Sequence, residues 1–288
     1  MTTIGVLGAG RMGRPIIDAL VRDGHDVLVW DPLAVRLSGL PAASSERDVV
    51  ERADVLVTVL PGSPEVDATA SRAVEQLRAG TLWLDLSSSD PRLIQRLAER
   101  ARHRGIATVG APMAGGPAAA ANGTLAFFVG GDADNVERVR PVLAILGERI
   151  DHVGPDVGDG YTAKLLANLL WFGQLIAVSE ALLLGQELGI SPSKLRTTFG
   201  ASAGGSVFID EYLDSLLDGD YAETFGLDRV VEELTVVSEL AASASVPFEL
   251  SNHVTRIHRE ALERFGAVPG EMLAAKLLEE RAGRTLRR

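Results

Sequence analysis

Short apolar runs alternate with longer amphipathic segments up to about residue 153 of this 288-residue chain. Strands are predicted over 3–7, 26–30, 55–59, 81–85, 107–109, 126–129 and 149–152, where apolar and β-branched residues cluster between turn formers. Helices are predicted between them over 12–23, 64–78, 91–104 and 133–146. Such alternation lets helices cover both faces of a mostly parallel, doubly wound sheet. After Val157-Gly158-Asp159-Gly160 the period changes. Segments with helical spacing follow at 161–188, 191–200, 208–218, 227–245, 249–265 and 272–281, with Ser191-Pro192 opening one and Gly189 closing another. The pattern predicts an α/β domain over 1–158 and an all-α domain over 159–288, divided at the glycine-rich break.

The first strand-to-helix turn has the composition of an anion cradle. Gly8-Ala9-Gly10-Arg11-Met12-Gly13 follows Ile4-Gly5-Val6-Leu7, and Asp31 follows a second apolar run, Val27-Leu28-Val29-Trp30. The first glycine permits the tight turn, the second lets a pyrophosphate approach the backbone, and the third lets the helix pack on the strand. Unpaired N–H groups and the helix dipole favour an anion there. Asp31, roughly twenty residues past the last glycine, is placed for the ribose hydroxyls of a dinucleotide. The full order of strand, glycine turn, helix, strand and acid separates this from a glycine turn in an ordinary α/β domain. An acid at this position favours NAD, because it repels the 2′-phosphate of NADP. Arg36 is the nearby cation that would admit NADP.

Net charge is -11, so nucleic acid and anionic membrane are not expected as partners. The chain has no cysteine, which excludes disulfides, thiolate ligands and cysteine nucleophiles and fits a cytoplasmic protein. No metal site is expected. The first strand begins by about Ile4, which leaves no room for a signal peptide. The most apolar stretch, 165–184, is interrupted by Asn168, Gln174 and Glu180, so it reads as a helix buried in protein rather than a membrane span. It carries Trp171 and Phe172, whose cover is expected to come from a second copy in a homodimer. The arginine-rich tail, 281–288, is expected to fray.

Open α/β sheets bind ligands outside the C-terminal ends of their strands. Three loops of small residues fall there: Leu60-Pro61-Gly62, Asp85-Leu86-Ser87-Ser88-Ser89 and Ala111-Pro112-Met113-Ala114-Gly115-Gly116-Pro117. Any one of them alone reads better as an ordinary strand-end turn. Lys164 opens the most apolar helix, and Asn168, four residues on, shares its face. A lysine so placed is partly desolvated and suited to acid–base work, with Asn168 orienting it or a substrate hydroxyl. The same spacing equally describes a lysine snorkelling to water and an asparagine satisfied in the core.

These residues resemble the β-hydroxyacid dehydrogenases, the group that includes hydroxyisobutyrate dehydrogenase and tartronate semialdehyde reductase. The resemblance runs through Gly8–Gly13, Gly24-His25-Asp26-Val27, Leu60-Pro61, Asp85-Leu86-Ser87-Ser88, Ala111–Gly116, Gly123-Thr124-Leu125, Gly130-Gly131-Asp132, the 158–168 segment and Glu180-Ala181. It implies a Rossmann domain, an all-α C-terminal domain, and hydride transfer between nicotinamide and a small-molecule β-hydroxy acid. It further implies that Lys164 is the general acid–base with Asn168 as its partner. Leu60, Pro61 and Ser88 would touch the cofactor, and Ala114, Gly115 and Gly116 the substrate.

Three positions depart from the family pattern. Ala114 replaces the serine of a Ser-Gly-Gly loop, and Ala167 replaces an asparagine. Glu232-Glu233-Leu234 replaces a Lys-Asp-Leu motif whose lysine reaches into the active-site cleft. A glutamate at 232 would disfavour simple carboxylates and admit neutral or ammonium-bearing substrates. Alternatively Arg229, one turn earlier, supplies the charge, or Glu232 lies on a solvated face. Two other functions remain open from the sequence: an imine reductase or reductive aminase, and a catalytically idle nucleotide-binding module.

Overall fold

The computed structural model describes residues 2–223 and 225–288. The chain divides into two compact units, Met1–Lys164 and Leu165–Arg288. In the first unit the strands are β1 (Thr3–Leu7), β2 (Asp26–Trp30), β3 (Val55–Thr58), β4 (Leu82–Asp85), β5 (Ala107–Gly110), β6 (Met113–Ala114), β7 (Leu125–Gly130) and β8 (Gly147–Gly154). The helices are α1 (Gly13–Arg22), α2 (Glu46–Arg52), α3 (Ser63–Gln76), α4 (Pro91–His103), α5 (Gly116–Asn122) and α6 (Ala133–Leu146). Helix α7 (Val157–Glu187) begins in this unit and continues into the next.

The strands form one sheet in the order β2-β1-β3-β4-β5-β7-β6, with β8 paired to β7. From β2 to β5 every pairing is parallel, whereas β7 runs antiparallel to β5 and β6. The chain reverses its direction of travel across the sheet between β1 and β3, the switch point where such sheets bind ligands. Registers are even across this half: Trp30, Leu7, Thr58, Asp85 and Gly110 are successive partners. The residues after them therefore leave the sheet side by side. One apolar cluster packs Ile16, Ile17, Leu20, Val136, Val139 and Leu143 of α1 and α6 against one sheet face. Another packs Val49, Val66, Val74, Leu93 and Leu97 of α2, α3 and α4, together with Tyr161, against the other.

The second unit is helical: α8 (Pro192–Gly200), a π-type segment over Phe208–Tyr212, α9 (Leu213–Leu217), α10 (Leu227–Ser243), α11 (Glu249–Phe265) and α12 (Leu273–Ala282). Trp171 and Phe172 are not waiting for a second copy to cover them. Phe172 is buried in this unit's own core, and Trp171 packs edge-on against Phe208 and Tyr212 at ring separations of 5.2 and 4.6 Å. The large apolar residues that α7 leaves exposed are Leu166, Leu170 and Leu184.

The tail does not fray. Leu286 is fully buried, and its N–H donates to the Glu279 carboxylate at 2.6 Å. Glu279 also pairs with Arg287 at 3.2 Å and accepts the Tyr221 hydroxyl at 2.6 Å, while Arg288 pairs with Asp218 at 2.7 Å. The arginines give the segment a solvent-exposed composition, but one leucine among them is a core residue.

Candidate functional site

The glycine turn is built as its spacing requires. Gly8 has a φ of +104°, and a Cβ there would stand 2.3 Å from the Val59 carbonyl oxygen. A Cβ on Gly13 would stand 2.0 Å from the Gly8 carbonyl oxygen, so α1 starts in backbone contact with the end of β1. Gly10 differs: a Cβ there meets the Arg36 guanidinium at 3.8 Å and leaves open space otherwise. Arg11 is exposed and Met12 is half-buried beside it.

Asp31 is 4% exposed. One carboxylate oxygen accepts the Ala9 N–H, the other accepts the Leu33 N–H, both at 2.8 Å, and Arg36 approaches within 3.4 Å. The acid thus ties the end of β2 to the glycine turn on β1 while keeping a cation beside it. This arrangement fits a dinucleotide: room at Gly10 for a pyrophosphate, a cation beside that room, and a fixed carboxylate at the ribose position.

At the adjoining strand ends, the Leu60 N–H donates to the Ser87 hydroxyl at 2.9 Å. Pro61 next to it is exposed and Ser88 is half-buried. These residues and the glycine turn follow β1, β3 and β4, which are neighbours in the sheet. Ala114 lies on β6, paired with Ala126, at the opposite end of the sheet order from β2. Gly115 takes the left-handed conformation at φ +118°, and Gly116 opens α5. The sheet thus groups the expected cofactor residues, whereas the expected substrate loop sits several strands away.

Lys164 is 6% exposed in the second turn of α7. One turn earlier, Tyr161 donates its hydroxyl to Asp85 at 2.5 Å. Asp85 also accepts the hydroxyls of Thr58 and Ser87, the latter at 2.8 Å, and Trp83 donates its indole N–H to Thr58 at 2.9 Å. Asp85 and Thr58 are fully buried. Burial holds the Asp85 carboxyl above its ordinary range, even though the three hydroxyls and the Ser87 backbone N–H pull the other way. The Tyr161 hydroxyl is pushed well up, first by burial and then by the Asp85 charge. Sequence reading placed Asp85 in a loop motif but did not connect it with Tyr161. The available signal was an acid ending a wholly apolar strand.

In the helical unit, Asn168 donates its amide to Glu233 at 2.5 Å. Glu233 is buried, and its other oxygen has no hydrogen-bond partner among the described residues. Glu232 is half-buried and pairs with Arg229 at 2.9 Å. The residue bonded to Asn168 is therefore Glu233, which sequence reading passed over for its neighbour.

Residues 3–154 match the model of the NAD binding domain of 6-phosphogluconate dehydrogenase. Residues 158–278 match that of the NAD-binding region of NADP-dependent 3-hydroxyisobutyrate dehydrogenase. The chain is 31% identical to 2-(hydroxymethyl)glutarate dehydrogenase of Eubacterium barkeri, over 88% of this chain and 87% of that one. It is 30% identical to the NAD-dependent L-serine dehydrogenase of Pseudomonas aeruginosa, over 98% and 100%. Among solved structures, Mycobacterium tuberculosis 3-hydroxyisobutyrate dehydrogenase with L-serine superimposes with a TM-score of 0.88 at 28% identity, covering 96% of this chain and 99% of that one. With both halves matched, the chain belongs to the β-hydroxyacid dehydrogenases, nicotinamide-dependent oxidoreductases that act on the CH–OH group of small hydroxy acids.

Proposed function

We propose that Lys164 is the proton-handling group of an NAD-preferring dehydrogenase for a small hydroxy acid. The observation that carries this reading is a buried lysine in the second turn of α7, with Asn168 one helical turn further on. A bound nicotinamide would supply the hydride acceptor for oxidation and the hydride donor for reduction. Lys164 Nζ takes the hydroxyl proton as the carbonyl forms, and gives it back to the alkoxide oxygen in the reverse direction. Asn168, on the same helix face as Lys164, orients the substrate hydroxyl. The turn shaped by Gly8 and Gly13 would hold the pyrophosphate at Gly10, Arg11 and Met12, Asp31 would meet the ribose, and Leu60, Pro61 and Ser88 would touch the cofactor.

The enzyme works as a cytoplasmic homodimer, free of nucleic acid and membrane. Support for the dimer comes from Leu166, Leu170 and Leu184, which are 45%, 66% and 62% exposed along α7.

Lys164→Ala tests the catalytic assignment. Turnover should fall about 10²- to 10⁴-fold with NADH affinity nearly unchanged. A variant that keeps more than about half its activity assigns Lys164 a structural role.

A further inference from the structure

We propose that Asp85 is a positioning residue that locks the turn carrying Lys164 and the loop carrying Leu60-Pro61 to one point of the sheet. This rests on the reading of Lys164 as the proton-handling group.

The sheet register creates that point. Thr58, Asp85 and Gly110 are successive partners on β3, β4 and β5, so their side chains leave the same face in a row. Gly110 has no side chain, and the Tyr161 ring occupies its place: a Cβ on Gly110 would stand 2.3 Å from the ring. The first turn of α7 is seated as closely on β7, where a Cβ on Gly160 would stand 2.2 Å from the Phe128 carbonyl oxygen. The tyrosine is thus held against the sheet with its hydroxyl on Asp85.

The hydrogen-bond directions converge on the acid. Leu60 N–H donates to Ser87, whose hydroxyl donates to Asp85. Trp83 N–H donates to Thr58, whose hydroxyl donates to Asp85. Tyr161 donates directly. Three hydroxyls and the Ser87 backbone N–H bond to Asp85 and offset its burial. Each donor belongs to a different element: β3, the β4 loop and α7. The loss of one donor loosens one arm and leaves the others tied.

Tyr161 precedes Lys164 by three residues, so both lie toward one side of the helix. A short helix turn moves as a unit. A displacement of about 1 Å at a reacting group costs as much as 10²-fold in rate. The Tyr161 arm therefore governs the chemical step, and the Ser87 arm governs the cofactor.

The test compares Tyr161→Phe, Ser87→Ala, Asp85→Asn and the Tyr161→Phe/Asp85→Asn double variant in the full chain. Measurements are kcat, the KM for cofactor, NADH affinity and Tm. Tyr161→Phe should lower kcat about 10- to 100-fold with NADH affinity within threefold. Ser87→Ala should raise the cofactor KM with kcat at saturation nearly unchanged. Asp85→Asn should show both effects, and the double variant should lose no more kcat than the worse single. If Asp85→Asn does not fold, the split between Tyr161→Phe and Ser87→Ala decides. Folded variants that move Tm alone, or a double variant whose losses multiply, overturn the proposal. Lys164→Ala run beside them separates the two readings. An active Lys164→Ala removes the catalytic assignment, whereas an inactive one with a normal Tyr161→Phe removes the lock.

Discussion

The Asn168 amide donates to the Glu233 carboxylate at 2.5 Å, and Glu233 is only 7% exposed. A buried carboxylate with one oxygen committed and the other without a partner is costly unless something else donates to it. Glu232, the residue favoured from the sequence motif, already has Arg229 beside it.

The first prediction concerns this pair. We hypothesise that the second Glu233 oxygen receives a substrate ammonium, an attraction of a few kcal/mol at an effective dielectric of about 20. Glu233→Gln should lower kcat/KM about 10- to 100-fold for an ammonium-bearing hydroxy acid relative to its deaminated analogue. An unchanged ratio removes Glu233 from substrate choice. Glu232→Lys measured alongside assigns the effect, since a larger shift there returns the role to position 232.

Cofactor preference follows from Asp31 and Arg36. The carboxylate is pinned by two backbone N–H groups, so it cannot swing away from a 2′-phosphate. NAD should exceed NADP in kcat/KM by at least about tenfold, and Arg36→Ala should widen the gap by removing the cation that would pair with the phosphate. Equal values for the two cofactors in the wild type contradict this reading of Asp31.

His258 sets an acid limit on stability. It is fully buried, edge-on to Phe172 at 5.4 Å, and its Nδ1–H donates to the Val254 carbonyl at 2.9 Å. Burial pushes its pKa down from 6.5 to about 4. Above pH 6.5 the ring is neutral whether folded or unfolded. Below it, the unfolded chain binds the proton and the folded chain does not, so stability falls by about 1.4 kcal/mol per pH unit until about pH 4. Urea unfolding between pH 4 and 8 should show this slope in the wild type and lose it in His258→Leu. Parallel curves for the two proteins refute it.

The docked tail makes a mechanical prediction. Leu286→Ala removes a fully buried side chain and should cost about 2–5 kcal/mol, read as a lower denaturant midpoint with an unchanged slope. A loss under about 0.5 kcal/mol, the range of surface substitutions, would mean that the tail is held by its arginines alone.

Regular elements were legible in the sequence where periodicity is long or the apolar run is sharply bounded. Strands β1 and β2 and helices α6 and α11 fall where hydrophobic pattern and turn residues agree. Helix α2 was missed because its seven residues offer just two apolar positions, Val49 and Val50, below any periodic signal. Strand β6 is two residues long and exists through its pairing with β7. The glycine turn was legible because its chemistry is local. The bond from Tyr161 to Asp85 spans 76 residues and that from Asn168 to Glu233 spans 65, so neither leaves a local pattern. Leu286 was hidden by composition, since the arginines around it dominate any average.

The Asp85 hydroxyl cluster also constrains how this sequence can drift. Replacing Asp85 with an apolar residue would strand three buried hydroxyl groups at once, each a loss of the order of 1–3 kcal/mol. Such a change is tolerable only when the whole set leaves with it, Tyr161 becoming Phe, Ser87 Ala, Thr58 Val and Trp83 Phe, because the buried Trp83 indole N–H depends on the Thr58 hydroxyl. Relatives should therefore keep or lose these positions as a set. A helix start transplanted from a relative with Phe at position 161 would then arrive without the donor that this sheet expects.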